Sequence, residues 1–456
     1  MARQKLLFTL LGPLAAILVY FWLESSLGEP MALTASITLW TAIWWIFEPI
    51  PIPATSLIPL ALFPTFGILT PSEVGAAYGS PLVLLLMGGF ILSTAMERSG
   101  AHRRVALTMV NLFGGSSSRR LVFGFMAAAA LLSMWISNTA TTLMLLPVAL
   151  AVLEKAPDQR LNVPLLLGIA YASSIGGIGT PIGTPPNLVF REVYATTTGA
   201  EIGFLTWMSW GVPIVLIFVP IVALWLTRGL NYQGEFQLPP VGKWQTAERR
   251  VLLIFSLTAL AWVTRSQPYG GWSNLLSVPS VNDASIALLA VVTMFLIPNG
   301  KGERLLSWEA AEKIPWGMLI LFGGGIAIAK AFLSSGLSAE LGAWLTQLAT
   351  LDTFFLVLGI CLTITFMTEI TSNTATTTLM LPILAAAALA AKIPPEVLMV
   401  PAAMSASCAF MLPVATAPNT IMFSTGTFPI KVMVKEGLAL NLIGALIISL
   451  LCMWLI

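Results

Sequence analysis

Long apolar stretches separated by short polar segments run through almost the whole chain. A transmembrane helix needs about 20 consecutive apolar residues, so each long stretch predicts a membrane span. The uninterrupted stretches lie at 6–23, 31–47, 54–69, 82–97, 205–227, 250–265, 284–298, 316–333 and 438–456. The pattern therefore predicts an all-α polytopic membrane protein.

Four other apolar regions are interrupted by Gly, Pro or clusters of Ser, Thr and Asn: 121–153, 163–194, 353–391 and 397–427. An unbroken helix satisfies its own backbone hydrogen bonds in lipid, whereas a broken helix is tolerated only where protein or a water-filled cavity surrounds it. We therefore expect the functional site at these four interrupted regions.

The chain carries few charges: Asp, Glu, Lys and Arg make up 9% of the residues, against about 25% in soluble domains. So few charges cannot cover a water-facing surface, which agrees with a chain that faces the lipid bilayer. The net charge is +2 and no basic run is long, so no nucleic-acid partner is expected. His102 is the only histidine and the three cysteines lack metal-ligand spacing, so we expect no His-based catalytic site.

The basic residues indicate how the chain is oriented in the membrane. Suppose that the N-terminus is cytoplasmic and that 121–153 and 353–391 are re-entrant hairpins. Only Arg191, Arg265 and Lys392 of the 22 basic residues then face outside, one lies within a span and 18 face the cytoplasm. This bias agrees with the positive-inside rule. The chain would then have about 11 transmembrane helices and two opposed hairpins, with its C-terminus outside.

The interrupted regions contain an internal repeat. Ser-Asn-Thr at 137–139 recurs at 372–374, 235 residues later, and Thr-Pro-Pro-Asn at 184–187 recurs as Thr-Ala-Pro-Asn at 416–419, 232 residues later. Because the two hairpins open to opposite sides, the repeats would be inverted. Inverted repeats with interrupted helices are typical of secondary transporters, whose binding site lies between the two halves.

Each Ser-Asn-Thr segment lies where the two arms of a predicted hairpin meet. These residues are preferred helix N-caps, and a helix N-terminus presents unpaired N–H groups and a partial positive charge. Two such ends facing each other predict an anion site. In the partner helices, each break at proline leaves backbone carbonyls without helical hydrogen bonds. These carbonyls, together with Asn, Ser and Thr oxygens, suit a small cation such as Na⁺.

Some of these polar features also have a structural interpretation. A single Ser-Asn-Thr segment commonly serves in interhelical hydrogen bonding, but two symmetric copies favour binding. Glu369, just before the second copy, could carry protons, pair with a cation or accept hydrogen bonds from the hairpin backbone. Since Met134 takes its place in the first repeat, we favour the structural role. Trp207 and Trp210 are interpreted as interfacial anchors or subunit contacts.

These motifs resemble those of the divalent anion/sodium symporter (DASS) family, which includes sodium-coupled di- and tricarboxylate transporters. The resemblance rests on 134–139, 182–187, 372–374 and 412–416 and covers nearly the whole chain. It implies a homodimer whose protomers combine a scaffold with a transport domain that moves as an elevator. The implied parts are the scaffold helices 1–118 and 205–350, the transport-domain halves 119–204 and 351–430, and a final transmembrane helix at 431–456.

The resemblance also implies which residues bind the ligands. Substrate carboxylates would contact Ser137, Asn138, Thr139, Thr184, Pro185, Ser372, Asn373, Thr374 and Thr416. Two or more Na⁺ ions would bind, one at Ser133, Ser137, Asn138 and Gly183, the other at Thr368, Thr371, Asn373 and Ala415. Thr371 matches by position alone, so we expect its backbone to contribute. Ala417 departs from the family, which usually has a proline there.

The motifs together with the resemblance thus imply a Na⁺-coupled symporter that brings C4-dicarboxylates such as succinate, malate or fumarate across the inner cell membrane, without an organic cofactor. Two alternatives stay open: a sodium-independent dicarboxylate exchanger, and a transporter of citrate or an inorganic oxyanion. An intramembrane enzyme is not favoured, because no constellation of His, Asp, Glu and Cys residues supports one. A channel would reveal itself by currents far above carrier turnover.

Overall fold

The computed structural model describes residues 2–113, 116–234, 236–267, 270–345 and 352–456. These residues form helices joined by loops and short 3₁₀ turns, with no β-strand among them. The all-α prediction is therefore confirmed. The physical reason is that a helix satisfies its backbone hydrogen bonds within one segment, which lipid requires.

Twelve helices precede the loop around residue 235. They are α1 (Ala2–Leu27), α2 (Glu29–Phe47), α3 (Ile52–Thr55), α4 (Leu57–Thr65), α5 (Pro71–Tyr78), α6 (Pro81–Ser99), α7 (Ala101–Phe113), α8 (Ser118–Ser133), α9 (Asn138–Glu154), α10 (Asn162–Gly177), α11 (Pro185–Thr198) and α12 (Phe204–Leu226).

Eleven more helices are described after that loop. They are α13 (Thr246–Val263), α14 (Gly271–Leu275), α15 (Asp283–Leu296), α16 (Trp308–Ala311), α17 (Trp316–Ser335), α18 (Leu337–Leu345), α19 (Thr353–Thr368), α20 (Asn373–Ala390), α21 (Pro395–Ser405), α22 (Ala417–Phe423) and α23 (Ile430–Leu455).

Seven helical segments of the described residues are long and apolar enough to cross a membrane. They are Leu7–Leu27, Glu29–Phe47, Pro71–Ser99, Phe204–Leu226, Trp316–Ser335, Asn373–Ala390 and Ile430–Leu455. The broken pairs α10/α11 and α21/α22 are too short piece by piece to belong to this set. The count of about 11 crossings, the side of each terminus and the domain division stay predictions. The predicted boundary at 350/351 lies outside the described residues.

The span predicted over 54–69 is wrong in detail, because the structure divides it into α3 and α4. Pro59 has no N–H with which to bond the carbonyl of Thr55, so the helix cannot continue smoothly through this point. At the junction, Ser56 Oγ donates to the carbonyl of Ile52 at 2.8 Å and accepts from Trp45 Nε1 at 2.9 Å.

The last helix begins at Ile430, eight residues before the apolar stretch at 438–456 and one residue before the start at 431 that the resemblance implies. Charged side chains in its first two turns hid them from the apolar pattern. One of them, Glu436, accepts hydrogen bonds from Arg228 at 2.7 Å and from Trp225 Nε1 at 2.8 Å. The first turns of α23 are therefore tied to the end of α12.

Helix α10 lies at the centre of the molecule. Every residue from Pro164 to Gly177 is buried, and the helix packs against α8, α9, α12 and α22. Helix α1 is the opposite case: it packs on α2 and exposes Leu14, Leu18, Phe21 and Trp22. An exposed apolar helix face of this kind suits lipid. The interrupted helix pairs thus lie inside, surrounded by unbroken apolar helices.

Candidate substrate and ion site

Both Ser-Asn-Thr segments lie at the tips of helical hairpins, as the sequence predicts. In the first hairpin, α8 ends at Ser133 and α9 begins at Asn138. In the second, α19 ends at Thr368 and α20 begins at Asn373. The two breaks fall at equivalent positions of the repeat, so the internal repeat is present in the structure as well as in the sequence.

The two tips are capped in different ways. Ser137 Oγ accepts a hydrogen bond from the N–H of Ala140 at 3.1 Å, as expected of an N-cap. Ser372 has the same extended backbone but makes no side-chain cap, so side-chain capping by this serine is contradicted. At this tip Thr371 Oγ1 instead lies 2.5 Å from Thr376 Oγ1, which joins the tip to the first turn of α20.

The Thr-x-Pro-Asn segments interrupt the partner helices, and the same asparagine contact holds each break. Asn187 Nδ2 donates to the carbonyls of Gly177 and Thr180, at 2.9 and 2.7 Å. Asn419 Nδ2 donates to the carbonyls of Ala409 and Leu412, at 2.9 and 3.1 Å. Each residue of one set lies 232 positions from its counterpart in the other. The asparagines therefore satisfy carbonyls that the breaks leave without helical partners.

One more carbonyl in each break is bonded by an aromatic side chain. Trp207 Nε1 donates to the carbonyl of Ile178 at 2.8 Å, and Tyr171 Oη donates to the carbonyl of Phe410 at 2.8 Å. Trp207 is completely buried. The interpretation of Trp207 as an interfacial anchor or subunit contact is therefore wrong. Trp210, which is also buried, packs against Trp207.

Glu369 accepts hydrogen bonds from backbone, as favoured from the sequence. Its Oε1 accepts from the N–H groups of Phe410 and Met411 at 2.7 and 2.8 Å, and its Oε2 from that of Leu412 at 2.9 Å. Asn441 Nδ2 on α23 donates to Oε1 at 2.7 Å. The carboxylate is 3% exposed. It thus joins the second hairpin tip to the second helix break.

A cavity of about 820 Å³ lies where the tips and breaks converge. All nine residues expected to contact substrate line it: Ser137, Asn138, Thr139, Thr184, Pro185, Ser372, Asn373, Thr374 and Thr416. Three further expected ion ligands also line it, namely Gly183, Thr371 and Ala415, and so does Ala417. Ser133 and Thr368 are buried and do not line it. Glu48 is the one charged side chain among the lining residues, so the cavity offers an anion no Lys or Arg.

The first-repeat residues fit a small cation. Ser133 Oγ and Asn138 Oδ1 are buried and lack hydrogen-bond partners among the described residues. A Cβ placed on Gly177 would lie 3.0 Å from Asn138 Oδ1 and 3.1 Å from the carbonyl oxygen of Gly183. Asn138 Oδ1 and the Gly183 carbonyl oxygen therefore face the same position, where Gly177 has no side chain. Oxygen-only surroundings of this kind suit a hard cation.

The second-repeat residues supply a similar set of oxygens, which are linked to each other by hydrogen bonds. Thr368 Oγ1 donates to Asn373 Oδ1 at 2.6 Å and lies 3.1 Å from the carbonyl oxygen of Ala406. Three oxygens thus lie close together around one hydroxyl proton. The hydroxyl of Thr371 donates to the carbonyl of Met367 at 2.8 Å. The expected backbone contribution of Thr371 to an ion site stays a prediction.

The sequence interpretation missed several residues that build the site. Gly177, Tyr171 and Asn441 were not singled out, although each contacts a helix break or a predicted ligand. A polar or glycine residue within an apolar segment is the only sequence feature that marks them. Met318, from α17, also lines the cavity and belongs to none of the motifs.

Two hairpin tips and two helix breaks that converge on one cavity are typical of a membrane transporter rather than an enzyme. Comparison with known proteins agrees. Residues 42–395 match the model of the CitMHS family, described as citrate transporters. The chain belongs to this family, and the resemblance to DASS transporters is confirmed.

Relatives match along almost the full chain. The sodium-dependent dicarboxylate transporter SdcS of Staphylococcus saprophyticus is 40% identical, over 99% of this chain and 91% of the relative. SdcS of Staphylococcus aureus strain USA300 is 41% identical, over 98% of this chain and 90% of the relative.

Two solved transporters share the fold. The YdaH transporter of Alcanivorax borkumensis has a TM-score of 0.62 at 19% identity, over 93% of this chain and 98% of that one. MtrF of Neisseria gonorrhoeae, from a class of antimetabolite efflux pumps, has a TM-score of 0.59 at 15% identity, over 95% of this chain and 96% of that one. At these identities the likeness concerns the fold alone.

Proposed function

We propose that this protein is a Na⁺-coupled symporter that carries C4-dicarboxylates into the cell. The buried, unpaired oxygens of Ser133 and Asn138 are the observation that carries the proposal, and the second of them faces the side-chain-free position at Gly177. A buried oxygen without a partner costs free energy unless a ligand satisfies it. Relatives named sodium-dependent dicarboxylate transporters, at 40 and 41% identity, support Na⁺ as that ligand.

The substrate would lie between the two hairpin tips. Each of its carboxylates would contact one Ser-Asn-Thr segment and the N-terminal end of the helix that follows, α9 or α20. Thr184, Pro185 and Thr416 would border the bound dianion. Since the cavity has no Lys or Arg, Na⁺ bound behind each tip would supply the positive charge. Binding of the anion would therefore depend on Na⁺.

Coupling would follow from the ion count. Two Na⁺ ions balance the charge of one dicarboxylate, and the Na⁺ gradient alone then drives uptake. Each further Na⁺ moves one charge across the membrane, which contributes about 2.3 kcal/mol per 100 mV. We propose that the helices 119–204 and 351–430 move together as an elevator against 1–118 and 205–350, within a homodimer in the inner membrane whose N-terminus is cytoplasmic and whose C-terminus is outside.

The test is uptake of labelled succinate into proteoliposomes that contain the purified protein. We expect uptake to require an inward Na⁺ gradient and to fall steeply when choline replaces Na⁺. Uptake at the same rate in choline would contradict Na⁺ coupling. If uptake instead required internal dicarboxylate and ignored Na⁺, the protein would be a sodium-independent exchanger.

Citrate is a second candidate substrate, favoured by the description of the matching family and by Ala417. This alanine takes the position that Pro185 holds in the first repeat, and the smaller side chain leaves more room in the second half of the cavity. A competition panel of succinate, malate, fumarate, citrate and sulfate against labelled succinate decides between them. We expect the C4-dicarboxylates to compete best.

A further inference from the structure

Glu48 is the one charged side chain among the described residues that line the cavity, and it belongs to neither a hairpin tip nor a helix break. It directly follows α2 and is exposed to water. A carboxylate in contact with water is ionised at neutral pH. Among the described residues no partner forms an ion pair or a side-chain hydrogen bond with it. The cavity wall therefore carries a negative charge that no protein group balances.

The backbone of Glu48 has a conformation that glutamate rarely adopts. Its φ of 46° and ψ of 49° lie in the left-handed region, where helix ends usually have glycine or asparagine. The next residue is Pro49, and a residue before proline prefers an extended backbone. The carboxylate also follows the C-terminal end of α2, where the helix dipole disfavours negative charge. Because these costs have no compensating bond, they indicate a role for the charge in the cavity.

The part of the cavity wall outside the tips and breaks suits hydrocarbon rather than a further anionic group. Helices α6 and α17 contribute apolar side chains there, among them Leu86, Phe90 and Met318. Ser93 is the one hydroxyl of this part among the described residues, and it donates to Glu97 Oε1 at 3.3 Å. A carboxylate placed here would find no free side-chain donor, and an unpaired charge away from water is costly. The methylene groups of a C4-dicarboxylate fit this wall.

The cavity has two hairpin tips, so a third carboxylate would have no tip to bind. It would have to lie in the remaining part of the cavity, which Glu48 lines. Repulsion between like charges grows as their distance falls, so this group would be repelled more than the two at the tips. We propose that Glu48 is a specificity-determining residue that admits dianions and rejects tricarboxylate trianions. The inference rests on the proposed function and decides between its C4-dicarboxylate and citrate alternatives.

The test separates charge from size with two competitors of one skeleton. Citrate is a trianion at mildly alkaline pH, and its monomethyl ester is a dianion of nearly the same bulk. Each competes with labelled succinate for uptake into proteoliposomes at a fixed Na⁺ gradient, and the ratio of the two inhibition constants is taken. In the wild type we expect citrate to compete about tenfold more weakly than its ester, because it alone brings a third charge near Glu48.

Four side chains at position 48 distinguish charge from length. Glu48→Gln keeps the length and removes the charge, so it should lower the ratio about fivefold. Glu48→Asp should keep most of the wild-type ratio, and Glu48→Asn should lose it as the Gln variant does. Asp and Asn both tolerate the left-handed backbone, so this second pair keeps the test open if the Gln variant folds poorly. Succinate affinity should rise in both neutral variants, though less than citrate affinity does.

Glu29→Gln is the matched control, because Glu29 is an exposed carboxylate at the other end of the same helix. The rise of the helix places it about 28 Å from Glu48, and it does not line the cavity. This variant should leave the ratio as in the wild type. If Glu48 served only to shape the loop after α2, its variants would change thermal stability or uptake rate, and none would change the ratio.

A wild type that citrate and its ester inhibit equally overturns the inference. So does a Glu48→Gln or Glu48→Asn variant that takes up succinate with the wild-type ratio, or an Asp variant that loses the ratio as fully as Asn does. Uptake that ignores Na⁺ contradicts Na⁺ coupling alone, because the comparison of the two competitors does not depend on it. A wild type that takes up no succinate overturns the proposed function, and the inference with it.

Discussion

Gly177 has no side chain, and the space this leaves lies between two predicted ion ligands. A Cβ at this position would come within 3.0 Å of Asn138 Oδ1 and within 3.1 Å of the Gly183 carbonyl oxygen. Real Cβ atoms rarely pack so tightly against oxygens in a close-packed interior. The absence of a side chain at Gly177 would thus matter to the proposed first ion site as much as the oxygens do.

We predict that Gly177→Ala weakens Na⁺ binding at the first site. The added methyl group would occupy the space between the two oxygens, and overpacking of this kind costs about 1–3 kcal/mol. The half-saturating Na⁺ concentration for succinate uptake should therefore rise about tenfold. Initial uptake rates in proteoliposomes over a range of Na⁺ concentrations measure the change.

Gly359→Ala is the matched control, since Gly359 lies on a helix and nothing lies within 4 Å of its added Cβ. Alanine has a higher helix propensity than glycine, so this variant should fold well and keep the wild-type Na⁺ dependence. An unchanged Na⁺ dependence in Gly177→Ala itself would argue against an ion in this space.

At the residue scale, the repeated motifs allowed prediction of the polar side chains but not of their surroundings. Ser137 and Asn373 could be singled out because Ser-Asn-Thr occurs twice at one offset. Gly177 and Asn441 act through contacts with residues distant in sequence, and no periodicity marks such contacts. The capping difference between Ser137 and Ser372 likewise depends on Thr371 and its bond across the tip.

At the element scale, a helix break inside a membrane protein needs partners for the carbonyls that it frees. Asn187 and Asn419 each bond two of them with one amide group, and both asparagines are completely buried. Lipid offers no substitute partner. The shape of α10/α11 and of α21/α22 therefore depends on these two side chains.

We predict that Asn419→Ala destabilises the second break. The buried carbonyl of Ala409 and the partly buried carbonyl of Leu412 would lose their donor, and a buried acceptor left unpaired costs about 1–3 kcal/mol. The unfolding temperature should fall, and succinate uptake should fall more than the amount of folded protein does, because Ala415 and Thr416 lie within this break. Thermal unfolding and uptake per folded protein are the measurements.

Asn187→Ala should behave alike, since the contacts of the two repeats match. Asn111→Ala serves as control: Asn111 also donates to two carbonyls, those of Leu107 and Pro239, but on an exposed helix face where water can replace it. If all three variants lose stability equally, the asparagines of the breaks have no special role.

Helix existence and the hairpin tips could be predicted because apolar length and polar interruptions are local properties. The errors arose where other forces act. Pro59 divides 54–69 beside Thr55 and Ser56, but two small polar residues within an apolar stretch do not predict a break. The charges at the start of α23 concealed helix because Glu436 bonds Arg228 and Trp225 at the end of α12. Propensity cannot report partners that lie two hundred residues away.

At the scale of the whole molecule, a buried ion-pair group joins three separate segments. Asp283 Oδ2 accepts from Arg191 Nη2 on α11 at 2.8 Å, and its Oδ1 accepts from Arg265 Nε just after α13 at 2.7 Å. Arg191 and Asp283 are 5% and 3% exposed. In the proposed division Arg191 belongs to the moving part and the other two residues to the scaffold. Each elevator cycle would then have to open this contact.

The sequence could place Arg191 and Arg265 only as orientation markers on the predicted outer face. Their mutual partner, Asp283, went unnoticed because it begins an apolar helix and belongs to no repeat. Charge counts describe which side of the membrane a residue prefers, whereas pairing depends on how α11, α13 and α15 pack. The internal repeat could be predicted because its motifs occur twice along the chain and can be recognised without knowledge of how the helices pack.

We predict that Asp283→Asn lowers the unfolding temperature more than any surface charge change. Removing one partner of a buried ion pair costs about 3–5 kcal/mol, because the arginines stay buried with an uncompensated charge. Asp158→Asn is the control, since Asp158 pairs with Arg160, whose side chain is 69% exposed, and exposed pairs contribute little. Thermal unfolding of both variants decides. Equal, small shifts would mean that water reaches the buried group and that the three segments are held together by packing alone.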